Sequence, residues 1–137
     1  MVGPVSRDPV LALVLKGLDA AVLRQRVTAH NLANVNTPGF KKSQVRFEEK
    51  LADLLNREDT GGATGAGFRR LNLSQVENIN PEVVQPGNGP LRQDGNNVQL
   101  DVEIGEMLMN NLLYATLMRQ AGDRLENLRY VINEGRR

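Results

Sequence analysis

Four groups of residues in this chain are of types that can carry chemistry, and each is judged by what its neighbours supply. His30 is the only histidine and there is no cysteine, so neither a thiolate–imidazole pair nor a multi-histidine metal site can be assembled. Standing beside Asn31 where a predicted helix ends, His30 reads as a polar helix-end residue. Asp94, Asp101, Glu103 and Glu106 gather carboxylates in one stretch. They lack the alternating oxygen ligands of a calcium loop, and Asp101 is placed to lend negative charge to the start of the last helix. Thr60 to Gly67 (TGGATGAG) holds four glycines in eight residues, but no Lys-Ser or Lys-Thr pair follows and no strand feeds a helix there, as a phosphate loop requires. Lys41-Lys42 and Arg69-Arg70 are basic pairs without interleaved aromatics to stack on bases. No catalytic constellation emerges, no cofactor or metal is implied, and the chain reads as a non-enzyme.

Composition narrows the field further. The 137 residues are one domain's worth. Seventeen basic against sixteen acidic side chains leave a formal charge of +1, too small to imply a polyanion partner, so no nucleic acid is expected. The longest early apolar run, Val10 to Leu15, is closed by Lys16 and falls far short of the roughly 20 residues that span a bilayer. No direct membrane span is expected. The start also lacks the basic, apolar and small-residue regions of a secretory signal, so any export proceeds without a cleaved signal peptide. Five aromatics and no tryptophan leave an aliphatic core, which favours long helices packed side by side.

The elements that must position these residues follow from periodicity. Asp8-Pro9 is a strong helix start, because the carboxylate can accept from a free amide and proline loses nothing at the first helical position. From there Leu11, Leu15, Leu18, Val22, Gln25, Ala29 and Leu32 alternate steps of four and three, the seam of a coiled coil. The residue before Pro38 is pushed out of helical geometry, and Pro38-Gly39 suits a type II turn. At the other end the same steps run through Leu100, Ile104, Met107, Asn111, Tyr114, Met118, Ala121, Leu125, Leu128 and Ile132. Leu108, Leu112, Leu113, Ala115, Leu117 and Val131 widen that stripe beyond what one partner helix covers. Gly105 and Gly122 interrupt it, each costing about 1 kcal/mol relative to alanine. The predicted architecture is therefore mainly α: a single domain with an N-terminal helix over 9–35 and a C-terminal helix over 101–133 in a coiled-coil-like bundle. The middle, 36–100, holds a turn, a short amphipathic helix over Gln44 to Arg57 (Phe47, Leu51, Leu54, Leu55), and a Gly/Pro-rich stretch. Leu71 to Val76 alternates and reads as an extended arm, and Asn80 to Asp94 as irregular.

Segment charges are +4 over 1–42, −2 over 43–100 and −1 over 101–137, compatible with pairing of the two terminal helices within or between copies. Wide apolar stripes with few partners inside the chain call for self-association or docking into a larger assembly. Gln25 and Asn111 are polar members that can fix register. A helical nucleic-acid-binding protein and a small hydrolase are the rival classes. The first predicts steeply salt-dependent DNA binding, and the second requires an activated nucleophile that is not found.

The stretch Ala29-His30-Asn31-Leu32-Ala33-Asn34-Val35-Asn36-Thr37-Pro38-Gly39-Phe40-Lys41 resembles the N-terminal motif of bacterial flagellar rod and hook proteins, A-x-N-[IL]-A-N-x-x-T-P-G-[YF]-K. A second stretch, Arg92 to Glu103 (RQDGNNVQLDVE), with Asn111-Leu112-Leu113-Tyr114 after it, resembles the start of the last helix in proximal rod members of that family. The R-x-Y-x-A-N pattern of the C-type proximal rod subunit is absent; that subunit is the nearer alternative. Gln99 departs from the family's acidic preference. The resemblance covers about 5–45 and 90–133. It implies a structural subunit of the flagellar basal body, exported through the type III apparatus and polymerised through its terminal helices into a drive-shaft tube around the export channel. The implied partners are copies of itself, other rod proteins, the adaptor protein FliE, the export gate and the MS ring. The implied assembly motif is Asn31, Leu32, Ala33, Asn34, Thr37, Pro38, Gly39, Phe40 and Lys41, with Gly95, Asn96 and Asn97 in the second stretch.

Overall fold

A computed structural model describes residues 8–57, 73–87 and 93–134, with the side chains of 55–57 left aside. The Gly-rich stretch Thr60 to Gly67, Arg69-Arg70 and Arg92 lie outside the described residues, as does the side chain of Leu55. The first helix, α1 (Pro9–Ala33), starts as the sequence predicts: the Asp8 carboxylate accepts from the Val10 amide at 2.9 Å and Pro9 opens the first turn. The last helix, α4 (Leu100–Glu134), runs for 35 residues. It is continuous through Gly105 and Gly122, and a methyl group built on either glycine would meet nothing within 4 Å. Neither is therefore a point of close helix approach among the described residues of the chain. That role falls to Gly17, whose missing Cβ makes room for Leu117 of α4, 3.2 Å from where it would sit.

The mainly helical fold with paired terminal helices is the architecture anticipated, and three local readings of the middle are corrected. Gln44 to Arg46 form a strand, β1 (Gln44–Arg46), and the amphipathic helix begins only afterwards, as α2 (Glu48–Arg57). The break is physical: Glu48 and Glu49 place negative charge in the first turn of α2, so the helix start falls there and leaves Val45 to pair as a strand. Of the stretch read as an extended arm, Leu71 and Asn72 lie outside the described residues, and the rest is not extended. Its described part belongs to α3 (Leu73–Asn78), where Val76 is fully buried. Alternation over so few residues also satisfies an i, i+3 spacing, and packing against α1 decides for the helix. Finally, the stretch read as irregular contains β2 (Glu82–Val84), antiparallel to β1 with Val45 opposite Val83. The extended element of the fold thus lies after α3. Arg24 ties α1 to α2, its Nη2 donating to both carboxylate oxygens of Glu48 at 2.6 and 2.7 Å. Lys50 reaches from α2 to Glu82 at 2.7 Å.

Two apolar clusters hold these parts together. Leu11, Val14, Leu18 and Ala121, with Leu117 and Leu128 against them, form the α1–α4 contact. Ala20, Phe47 and Ile79, with Leu51 and Leu54, seat α2 and the end of α3 on the other flank of α1.

The register of the α1–α4 contact differs from the predicted seam in a regular way. In α1 the predicted Leu11 and Leu18 are buried, but the positions between the sevenths are Val14, Ala21 and Thr28, not Leu15, Val22 and Ala29, which are exposed. In α4 Ala121 is buried and Met107 and Leu128 are half-buried. Between those sevenths lie Glu103, Asn110 and the half-buried Leu117, while Leu100, Ile104, Asn111, Met118, Leu125 and Ile132 are exposed. Tyr114 is exposed as well. Asn110 rather than Asn111 is therefore the polar residue in the contact. It donates to the Ala21 carbonyl at 2.9 Å and to Gln25 Oε1 at 3.1 Å. Because α4 is apolar on nearly every side between Ile104 and Met118, hydrophobicity does not select its rotation; these polar contacts do.

Candidate assembly site

The two sequence motifs, 59 residues apart at Thr37 and Asn96, meet in space. The first motif leaves α1 at Asn34, and the chain turns through Gly39, whose φ of +72° is a left-handed conformation that costs other residues energy. Gly95 has φ of +80° and lies against Gly39, with the Gly39 Cα 3.5 Å from where its Cβ would be. Two glycines face one another, and the Gly39 amide donates to the Asp94 carbonyl at 2.8 Å.

Asn96 is the hub of this clasp. It is fully buried, and its Nδ2 lies within hydrogen-bonding distance of the carbonyls of Asn34, Val35 and Thr37 at 3.0, 3.1 and 2.9 Å. These carbonyls belong to the C-cap and the turn that follows α1, so Asn96 fastens the exit of the first helix. Its Oδ1 accepts from the Val98 amide at 2.7 Å, so the same side chain also shapes the approach to α4. Asn97 accepts the Lys42 amide at 2.6 Å, and Lys41 Nζ donates to the Gly95 carbonyl at 2.7 Å. On the inner side Asn31 brackets Ser43, accepting its amide at 3.0 Å and donating to its carbonyl at 2.8 Å. The Asn31 Nδ2 also reaches Glu103 Oε2 at 3.0 Å.

Of the residues in the implied motif, Asn31, Asn96 and Asn97 are buried, while Leu32, Asn34, Phe40, Lys41 and Gly95 are half-buried. Ala33, Thr37, Pro38 and Gly39 lie on the surface. The asparagines are thus engaged inside the chain. Asn34 closes the turn locally, donating to the His30 carbonyl at 2.8 Å and accepting from Thr37 Oγ1 at 3.3 Å. His30 is exposed, with its ring 5.5 Å from that of Phe40.

Glu103 is the residue that sequence reading placed least well. Grouped there with Asp94, Asp101 and Glu106 as one carboxylate cluster, it is fully buried, and its Oε1 faces Lys42 Nζ at 3.6 Å. Nothing in its local sequence, between Val102 and Ile104, marked it for burial. Among the described residues no group of three or more His, Asp or Glu side chains is arranged to hold a metal ion, and no helix is long and apolar enough to cross a membrane.

A clasp of backbone-directed asparagines fixes two long helices on which large apolar side chains stay exposed. The class is that of the flagella basal body rod proteins, whose family pattern matches residues 15–41, the part of α1 and the turn that carries half of the clasp. Over most of its length the chain is similar to proteins called flagellar basal body rod protein FlgB. It is 31% identical to that of Borrelia hermsii over 84% of this chain and 89% of the relative. It is 29% identical to that of Bacillus subtilis over 87% and 89%, and 28% to that of Yersinia enterocolitica over 93% and 96%. The chain belongs to the FlgB family of flagellar basal body rod proteins.

Proposed function

We propose that this chain is a non-enzymatic structural subunit of the proximal rod, a single rod-type domain that polymerises through its terminal helices into the drive shaft of the flagellar basal body. The observation that supports this reading most directly is the outer face of α4. Leu108, Met109, Leu112, Met118, Leu125, Tyr130, Val131 and Ile132 are exposed along this helix, and large apolar side chains left to water in such number mark an interaction surface. Covering that surface on assembly supplies the driving force, at about 25 cal/mol per Å² of apolar area removed from water.

Within this reading the clasp sets the angle at which both helices leave the turn, and the surface residues Ala33, Thr37, Pro38 and Gly39 offer that turn to a neighbouring subunit. The partners are copies of itself and other rod proteins, with the adaptor protein FliE, the export gate and the MS ring at the rod base. Deleting the gene in its own bacterium tests the reading. Electron microscopy of purified basal bodies should show rings without rods, with rods restored by the gene supplied in trans. Normal rods in the deletion strain would refute it.

A further inference from the structure

A groove of about 660 Å³ runs between α1, β1 and α4, lined on its apolar side by Val27, Val45, Val102, Met109 and Leu113. Gly105 lies in this groove with open space where a side chain would be. A mid-helix glycine costs about 1 kcal/mol relative to alanine, and no neighbour among the described residues accounts for this one. Glu106 stands in the lining and forms no ion pair among the described residues. At the other end of α4, Leu128 is the last residue packed into the α1–α4 cluster. Beyond it the helix continues to Glu134 with every residue from Arg129 to Glu134 exposed. Leu125, Arg129 and Ile132 share one face of that end by their i, i+4, i+7 spacing. Leu125 and Ile132 are exposed, and Arg129 also forms no ion pair among the described residues.

We propose that the groove receives the C-terminal end of α4 from a second copy of this chain, with Leu125 and Ile132 against its apolar wall, Arg129 facing Glu106, and Gly105 leaving the room. This inference rests on the polymerising role proposed above and names a contact for it. Groove and helix end are different surfaces near opposite ends of α4, about 35 Å apart at 1.5 Å per residue. Such a contact is head-to-tail and propagates instead of closing into a pair.

The absence of cysteine from the chain makes the test direct. The double variant Met109→Cys with Ile132→Cys, expressed in the bacterium and recovered in basal bodies, should give a ladder of dimers, trimers and longer species with a short thiol cross-linker. Each single variant should remain monomeric. A double variant present in basal bodies but not cross-linked overturns the inference and leaves the rod-subunit reading standing. Absence of the unaltered chain from basal bodies overturns both. Independently of cross-linking, Glu106→Arg and Arg129→Glu should each lower rod yield at least tenfold, and the two together should restore it; no rescue counts against the pairing. Gly105→Leu should leave the thermal midpoint of the isolated chain unchanged or higher while abolishing rods, and normal rods in that variant would be fatal to the groove.

Discussion

Asn31 and Glu103, 72 residues apart in sequence, are joined by a 3.0 Å hydrogen bond in the interior, where Asn31 is 2% and Glu103 0% exposed. Each belongs to a different terminal helix, so this bond locks the rotation of one helix against the other at the clasp end. Lys42 supplies the opposite charge at 3.6 Å. Removing one member of a buried ion pair commonly costs about 3–5 kcal/mol, because the remaining groups keep their desolvation penalty. Glu103→Ala should therefore destabilise the chain by about 3 kcal/mol, near the lower bound because Lys42 retains some access to water. Glu103→Gln keeps an acceptor for Asn31 and should cost about half as much. Urea unfolding followed by circular dichroism measures both, and a Glu103→Gln variant as stable as the natural chain would mean that the charge has no part in the clasp.

The turn glycines lead to a conformational prediction. A Cβ on Gly39 meets nothing within 4 Å, so substitution there is penalised by its positive φ alone. Gly39→Val should cost about 2 kcal/mol or more, since a β-branched residue is a poor occupant of the left-handed region. Gly39→Asn should cost less, because asparagine visits that region more readily. In the bacterium Gly39→Val should abolish rod assembly more than export of the subunit, as seen by comparing basal bodies with secreted protein. Normal rods with valine at this position would dismiss the turn as a determinant of assembly.

Much of this was legible beforehand, and the gaps have physical causes. Asp8-Pro9 gave the start of α1 because capping is local chemistry, and the four-three spacing gave both long helices because it is repeated many times. What spacing left open was the side on which those helices meet. Heptads through Leu11 and Leu18 admit either Val14 or Leu15 between them, and the choice was made by Asn110, Asn31 and Glu103, polar residues whose partners are distant in sequence. The clasp was visible as two motifs but not as one object, since the Asn96 contacts to Asn34, Val35 and Thr37 are backbone bonds that carry no side-chain signature at the accepting end. The pairing of β1 with β2 was hidden because strands of three residues barely register as alternation.

The β1–β2 ribbon has a pH dependence with a definite sign. The Lys50 ammonium, hydrogen-bonded to Glu82 and attracting it by charge, holds that carboxyl below its ordinary value, with Arg46 adding a smaller pull. A folded pKa below the unfolded one means that the contribution is complete above the unfolded value and disappears as the pH falls through the folded one. The ribbon should thus be indifferent to pH near neutrality and loosen only in acid, below the usual glutamate range. Amide exchange at Val45 and Val83 should report this loosening in the natural chain, and the dependence should vanish in Lys50→Met. An unchanged acid response in Lys50→Met would assign it to another group.

Gly17 puts helix propensity and packing in opposition at one position. Alanine in the middle of α1 gains about 1 kcal/mol over glycine from reduced backbone freedom in the unfolded chain and better helix propensity. Against this, the new methyl would stand 3.2 Å from Leu117 Cδ1 and 3.7 Å from Cδ2, so Leu117 must yield by a few tenths of an ångström. The crowding atoms are the tip of a half-buried side chain and not backbone, and a small rotamer adjustment costs less than the propensity gain. Gly17→Ala should therefore raise the thermal midpoint slightly. Gly17→Ile adds branches to the same seam, where Leu11, Val14 and Leu18 already pack against α4. It should lower stability by about 1–3 kcal/mol through overpacking. A fall in midpoint with alanine alone would show that the two helices are held at this crossing too rigidly for Leu117 to move.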